Sequence, residues 1–125
     1  DYKTGGTPKT PANIEQLFTP SETRPNYIFQ TFLYASIMCR QQTLKVAPAL
    51  LYIHRAASDS YSPVIEMGEP RQPKIPVNNF TFFEDEFRKR LQTLLEEIFS
   101  ENEPFTQTED IKKCSYCDFK AICKR

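Results

Sequence analysis

Asn26-Tyr27-Ile28-Phe29-Gln30-Thr31-Phe32-Leu33-Tyr34-Ala35-Ser36-Ile37-Met38 is the stretch that decides the fold class of this 125-residue chain. Tyr27, Phe29, Phe32, Leu33, Ile37 and Met38 recur at the spacing of a broad apolar helix face, and no Gly or Pro interrupts them. The pattern predicts a helix from Asn26 to about Gln42. A second helix is predicted over Phe82–Ser100, where Phe83, Phe87, Leu91, Leu94, Leu95, Ile98 and Phe99 share one face and charged residues the other. Between these helices the signals change. Ala49-Leu50-Leu51-Tyr52-Ile53 is short, apolar and β-tolerant, which predicts a buried strand, and Val64-Ile65-Glu66-Met67 reads as a short one. Pro63, Pro70, Pro73 and Pro76 exclude a long helix through the middle. Ahead of the first helix, Asp1-Tyr2-Lys3 has the look of a strand end running into the Gly5-Gly6 turn, and Asn13 is placed to cap a short helix ending at Phe18. Strand, helix, strand, irregular strand, helix and a cysteine-bearing end add up to an α/β fold.

Sixteen basic and sixteen acidic side chains cancel, which excludes a polycation that holds nucleic acid by bulk charge but leaves room for a local basic patch. Ten Phe and six Tyr predict a core whose large members are aromatic rings, and ten Pro against three Gly predict stiff connections. No run of about 18 apolar residues suggests a membrane span. No charged-then-apolar leader is visible, so the expectation is a cytoplasmic protein without disulfides. Because the first residue is Asp1 rather than Met and sits in a strand, the chain reads as a piece of a longer polypeptide.

Three groups of residues carry chemistry. Asp1 and Lys3 lie two apart on a strand and therefore share a face; a carboxylate is a hard ligand for Mg²⁺, the Tyr2 carbonyl can join it, and a lysine beside them can stabilise charge on an attacked phosphate. The same triplet also fits a surface salt pair. Gln30 and Tyr34 stand one turn apart on the first helix, where Tyr34 reads equally as core. Cys114, Cys117 and Cys123 form C-x₂-C-x₅-C, the close spacing by which thiolates grip a zinc ion or an iron–sulfur cluster. Cys39, inside an apolar helix, reads as a buried free cysteine. His54 is the sole histidine, which excludes multi-histidine sites within the chain, and no nucleophile elbow supports a serine hydrolase. Lys112, Lys113, Lys120, Lys124 and Arg125 make the end of the chain locally basic.

Taken in order, Asp1-Tyr2-Lys3-Thr4-Gly5, Gln30-Thr31-Phe32-Leu33-Tyr34 and Cys114-x₂-Cys117-x₅-Cys123 resemble the RecB/AddB-like branch of the PD-(D/E)XK nucleases, through its D-x-K motif, its Q-x-x-x-Y motif and the cysteine coda of its iron–sulfur members. The resemblance implies a restriction-endonuclease-like core, a mixed sheet flanked by helices, with residues 1–103 as core and 104–125 as a cysteine-rich tail. It implies Asp1 and the Tyr2 carbonyl as Mg²⁺ ligands, Lys3 as catalytic lysine, and Gln30 and Tyr34 facing the active site. It further implies a 4Fe-4S cluster, or Zn²⁺, on Cys114, Cys117 and Cys123 with a fourth ligand outside this chain. DNA would be the substrate, end processing in recombinational repair the task, and a helicase or nuclease subunit the partner. The family's further acidic motif lies ahead of its D-x-K strand, so the chain is expected to be the C-terminal part of the domain and inactive alone. The alternative is a non-catalytic module that binds DNA or protein and carries a structural cysteine-held metal.

Overall fold

A computed structural model describes residues 1–41, 45–102, 104 and 106–124. Its elements are β1 (Tyr2–Lys3), α1 (Glu15–Phe18), α2 (Asn26–Gln41), β2 (Leu51–Tyr52), β3 (Glu66–Met67), β4 (Ile75–Pro76), α3 (Thr81–Ile98) and α4 (Ile111–Ser115). Gln42, at the expected end of the first helix, and Phe105 and Arg125 of the expected tail lie outside the described residues. The chain divides into two compact units, Asp1–Leu95 and Glu96–Arg125.

Strand β1 does have a partner. It pairs in parallel with β2, Tyr2 opposite Leu51 and Lys3 opposite Tyr52, and the Leu51 N–H donates to the Asp1 carbonyl at 2.9 Å. The segment leading into β2 runs antiparallel to the next stretch through an Ala49–Val64 bridge, with Leu50 N–H on the Pro63 carbonyl and Ile65 N–H on the Pro48 carbonyl. That stretch becomes β3, which pairs antiparallel with β4. The strands thus form two two-stranded sheets, β1–β2 parallel and β3–β4 antiparallel, with the isolated Ala49–Val64 bridge between the segments that lead into them.

Of the expected buried strand over 49–53 only Leu51–Tyr52 is strand, and the stretch is covered on one side rather than fully buried. Leu50 and Tyr52 are 3% exposed, whereas Leu51 and Ile53 face outward. The alternation is that of a sheet with one covered face. The chain leaves β2 through a 3₁₀ turn, Ile53–Arg55. Tyr61 returns to close the edge: its hydroxyl accepts from the Tyr52 N–H at 2.9 Å and donates to the Leu50 carbonyl at 2.7 Å. Tyr61→Phe leaves both backbone groups unbonded and should lower stability by about 1–2 kcal/mol. A urea titration reads this as a lower midpoint with an unchanged slope; an unchanged midpoint would show that Tyr61 does not hold the edge.

The core of the first unit is aromatic, as the composition implies. Phe32, Phe80 and Phe87 are fully buried, and Phe87 is the hub. Its ring centroid lies 5.3 Å from Phe18, 5.7 Å from Phe29, 5.9 Å from Phe80 and 6.1 Å from Phe32, all tilted or edge-on, as ring quadrupoles favour. Ile14, Leu17, Ile28, Leu50, Ile65, Met67 and Val77 complete the cluster. Helix α1 begins at Glu15 with Ile14, not the expected Asn13, at its N-cap; Asn13, one residue earlier, accepts the Gln16 N–H through its Oδ1, and the Gln16 side chain accepts the Ala12 N–H.

Both long helices bury a narrower stripe than their sequences suggest. In α2 the covered positions are Ile28, Thr31, Phe32, Ala35 and Ser36, with Phe29, Leu33 and Cys39 packed at the margin; Tyr27, Ile37 and Met38 are exposed. In α3 Phe87 is buried and Phe83 and Leu91 lie against the core, but Leu95 and Ile98 are exposed, as is Phe99 just beyond its end. The Asn79 side chain, accepting both the N–H and hydroxyl of Thr81, sets the start of α3 one residue before the expected Phe82. The second unit contains α4, a short helix in a stretch read from sequence only as a polar tail.

Candidate active site

Helix α2 presents two faces to two environments. Ile28, Phe32 and Ala35 go to the core, while Tyr27, Gln30 and Tyr34, spaced three and four apart, form a stripe beside β1. Pleating sends Asp1 and Lys3 to one side of β1, and the parallel pairing with β2 fixes that strand. The result is a line of polar side chains. Lys3 Nζ lies 2.7 Å from Asp1 Oδ2 and donates to Gln30 Oε1 at 3.0 Å; Gln30 Nε2 donates to the Tyr34 hydroxyl at 2.8 Å. Lys3 Nζ also stands 4.5 Å from the centroid of the Tyr27 ring, within cation–π range.

The donor and acceptor roles are forced. An ammonium only donates, so the Gln30 oxygen must face Lys3 and its NH₂ must face Tyr34. Tyr34 spends a lone pair on Gln30 and keeps its own O–H to give outward. The side chains of Lys3 and Asp1 are 16% and 23% exposed, so the pair is partly sheltered. Tyr34 is 47% exposed and therefore is not core. All four residues singled out in the sequence, Asp1, Lys3, Gln30 and Tyr34, are brought together. Tyr27 was missed, assigned to the apolar face; the signal that finds it is its place three residues before Gln30 on the same stripe.

A family model of the PD-(D/E)XK nuclease superfamily matches residues 1–124. The chain belongs to that superfamily. No curated protein and no solved structure matches it. Its small mixed sheets flanked by helices are consistent with the restriction-endonuclease-like fold of PD-(D/E)XK proteins, and membership makes it a member of a group of nucleases.

PD-(D/E)XK nucleases typically use Mg²⁺, so the donor set matters. Among the described residues, no three His, Cys, Asp or Glu side chains stand close enough together to hold a metal ion. Asp1 and the Tyr2 carbonyl offer hard oxygens, but a single carboxylate already bound to Lys3 is not a complete Mg²⁺ site. What these residues do by themselves is hold an ammonium in a fixed place, with a carboxylate on one side and an amide on the other.

The cysteines in this PD-(D/E)XK chain are likewise not gathered into a metal centre. Cys114 lies in α4, Cys117 N–H bonds back to the Cys114 carbonyl, and Cys123 N–H bonds to the Phe119 carbonyl; all are free thiols, half-buried. The Gln107 amide donates to the Cys123 carbonyl at 3.1 Å, and Lys113 lies 3.4 Å from Asp110. Cys39, expected to be buried, is a half-buried free cysteine packed against the core of the first unit. Burial, and then the Glu84 carboxylate, push its thiol above the usual range, which keeps it protonated and unreactive. His54 packs edge-on against Tyr52 with ring centroids 6.0 Å apart. Among the described residues no helix is long and apolar enough to cross a membrane.

Proposed function

We propose that this chain is the C-terminal part of a Mg²⁺-dependent deoxyribonuclease domain of the RecB/AddB type, which hydrolyses phosphodiesters at DNA ends in recombinational repair. The observation that carries the reading is the line Asp1–Lys3–Gln30–Tyr34, each link between 2.7 and 3.0 Å. Lys3 is the catalytic lysine: its fixed ammonium meets negative charge that develops on the attacked phosphate, without reorganising at the moment of reaction. Gln30 is a positioning residue that holds Lys3, and Tyr34 in turn orients the Gln30 amide. Asp1 and the Tyr2 carbonyl would hold part of a Mg²⁺ ion's shell, and the remaining oxygens would come from polypeptide outside these residues in the intact domain. The metal would supply the activated water and Lewis-acid charge.

The order and spacing of Cys114, Cys117 and Cys123 support a structural 4Fe-4S cluster completed by a fourth ligand from the same upstream polypeptide, with Zn²⁺ as the competing occupant. DNA is the substrate and a helicase or nuclease subunit the partner in this reading; Lys112, Lys113, Lys120 and Lys124 add a local basic surface to an otherwise neutral protein.

The test uses linear single- and double-stranded DNA with Mg²⁺, comparing this chain with the longer polypeptide that contains it. The longer polypeptide is expected to cleave and this chain is not. Robust cleavage by the 125 residues alone, lost on Lys3→Ala, would overturn the assignment of the missing ligands to upstream sequence. Absence of cleavage by both would overturn the nuclease reading itself.

A further inference from the structure

The Lys3 ammonium has three N–H groups and two polar partners among the described residues, the Asp1 carboxylate at 2.7 Å and the Gln30 amide oxygen at 3.0 Å. Two partners confine Nζ to an arc rather than a point, because the stem that carries it is flexible. The Tyr27 ring supplies a third contact: Nζ stands over its face, 4.5 Å from the centroid. A ring attracts an ammonium through its quadrupole and takes no N–H in doing so. We propose that Tyr27 is a positioning residue for Lys3, fixing the ammonium from a third side while one N–H stays available to a phosphate oxygen, and that position 6 is glycine so that the ring can lie there. That the oxygen belongs to a scissile phosphate rests on the nuclease reading; the placement of the ammonium does not.

Core packing does not account for where Tyr27 stands. The residue is 44% exposed and belongs neither to the buried cluster nor to the side chains packed against it, although its neighbour Ile28 is part of that cluster. Its backbone is held without the ring: the Tyr27 carbonyl lies in the first turn of α2 and accepts the Thr31 hydroxyl at 2.9 Å. The turn after β1 is shaped around the ring instead. Gly6 sits at φ +84°, a conformation that other residues resist, and a Cβ there would stand 3.2 Å from Tyr27 Cε2 and 4.0 Å from Tyr52 Cε1. Gly5, one residue earlier, has open space where its side chain would begin. Of the two glycines in this turn, only Gly6 has to stay bare. Lys3 lies three residues before Gly6, and Gln30 three residues after Tyr27. The ring is thus braced between the turn that follows the lysine and the helix that carries the lysine's acceptor.

The experiment is carbon–proton NMR of the 125-residue chain labelled at the lysine Cε positions, in metal-free buffer, with the Lys3 signal assigned by its loss in Lys3→Arg. Protons above a ring face are shielded, so the Lys3 Hε signal is expected upfield of the signals of exposed lysines. Tyr27→Leu should return it to their position, while Tyr27→Phe, which keeps a ring face, should hold it upfield. Gly6→Ala should move it downfield by displacing the ring, and Gly5→Ala should leave it in place. A Lys3 signal that is unshifted in the unsubstituted chain, or unmoved by Tyr27→Leu, overturns the proposal. In the longer polypeptide, Tyr27→Leu should lower kcat for DNA cleavage by about three- to tenfold with little change in KM, and Tyr27→Phe should recover most of that loss. Equal losses in the two variants would assign the effect to the Tyr27 hydroxyl and overturn the role given to the ring. Absence of cleavage by the unsubstituted polypeptide would count against the nuclease reading alone, because the spectra are taken without metal or DNA.

Discussion

Lys3→Ala should reduce Mg²⁺-dependent cleavage by the intact nuclease domain by about a hundred- to a thousandfold, the scale of removing one preorganised charge from a phosphoryl site. The loss should fall on kcat rather than KM, since the ammonium acts on charge that grows during reaction. Lys3→Arg should not restore the rate. A guanidinium is planar and forked, whereas the present site holds a compact ammonium between Asp1, the Gln30 amide and the Tyr27 ring. Single-turnover kinetics separate the two parameters. A variant that kept its rate with a raised KM would make Lys3 a binding residue and dissolve the role given to it above.

Phe87→Ala is expected to be the most damaging single core change, at about 3–5 kcal/mol. The ring is fully buried and meets four others, Phe18, Phe29, Phe32 and Phe80, so its removal opens a cavity at the meeting point of α1, α2 and the start of α3. These neighbours are large and held on separate elements, which limits how far they can collapse inward. Chemical denaturation should show a lower midpoint. Phe82→Ala, five residues earlier and 83% exposed, should leave it unchanged within about 0.5 kcal/mol. Equal losses in the two variants would mean that α3 is held by something other than its Phe87 face.

The contrast between Phe82 and Phe87 shows where the sequence was legible. Helical periodicity located α2 and α3 within a residue or two, because apolar spacing over sixteen or more residues leaves little alternative. It overstated their buried width. A hydrophobicity pattern ranks Tyr27 and Phe99 as apolar without knowing what lies opposite, and what lies opposite Tyr27 is an ammonium. The strands were harder to read, since each is two residues long and their pairing depends on partners distant in sequence. The polar line was legible at both ends, as a spacing of two on a strand and four on a helix. Its junction, Lys3 to Gln30, was visible only through the family resemblance, because no local pattern states which helix a strand will lie beside.

The pairing of β1 with β2 has a further consequence for the order of events in time. It joins positions about fifty residues apart, a contact that forms late because a long loop must close before any bond rewards it. Only two residues of each strand take part, so the ladder alone is marginal and depends on Lys3 being caught by Gln30 and Tyr27. The aromatic cluster around Phe87 involves no residue of β1. The ladder is therefore expected to open more readily than the core, and faster amide exchange at Leu51, whose N–H bonds the Asp1 carbonyl, than at the buried positions of α2 would report it.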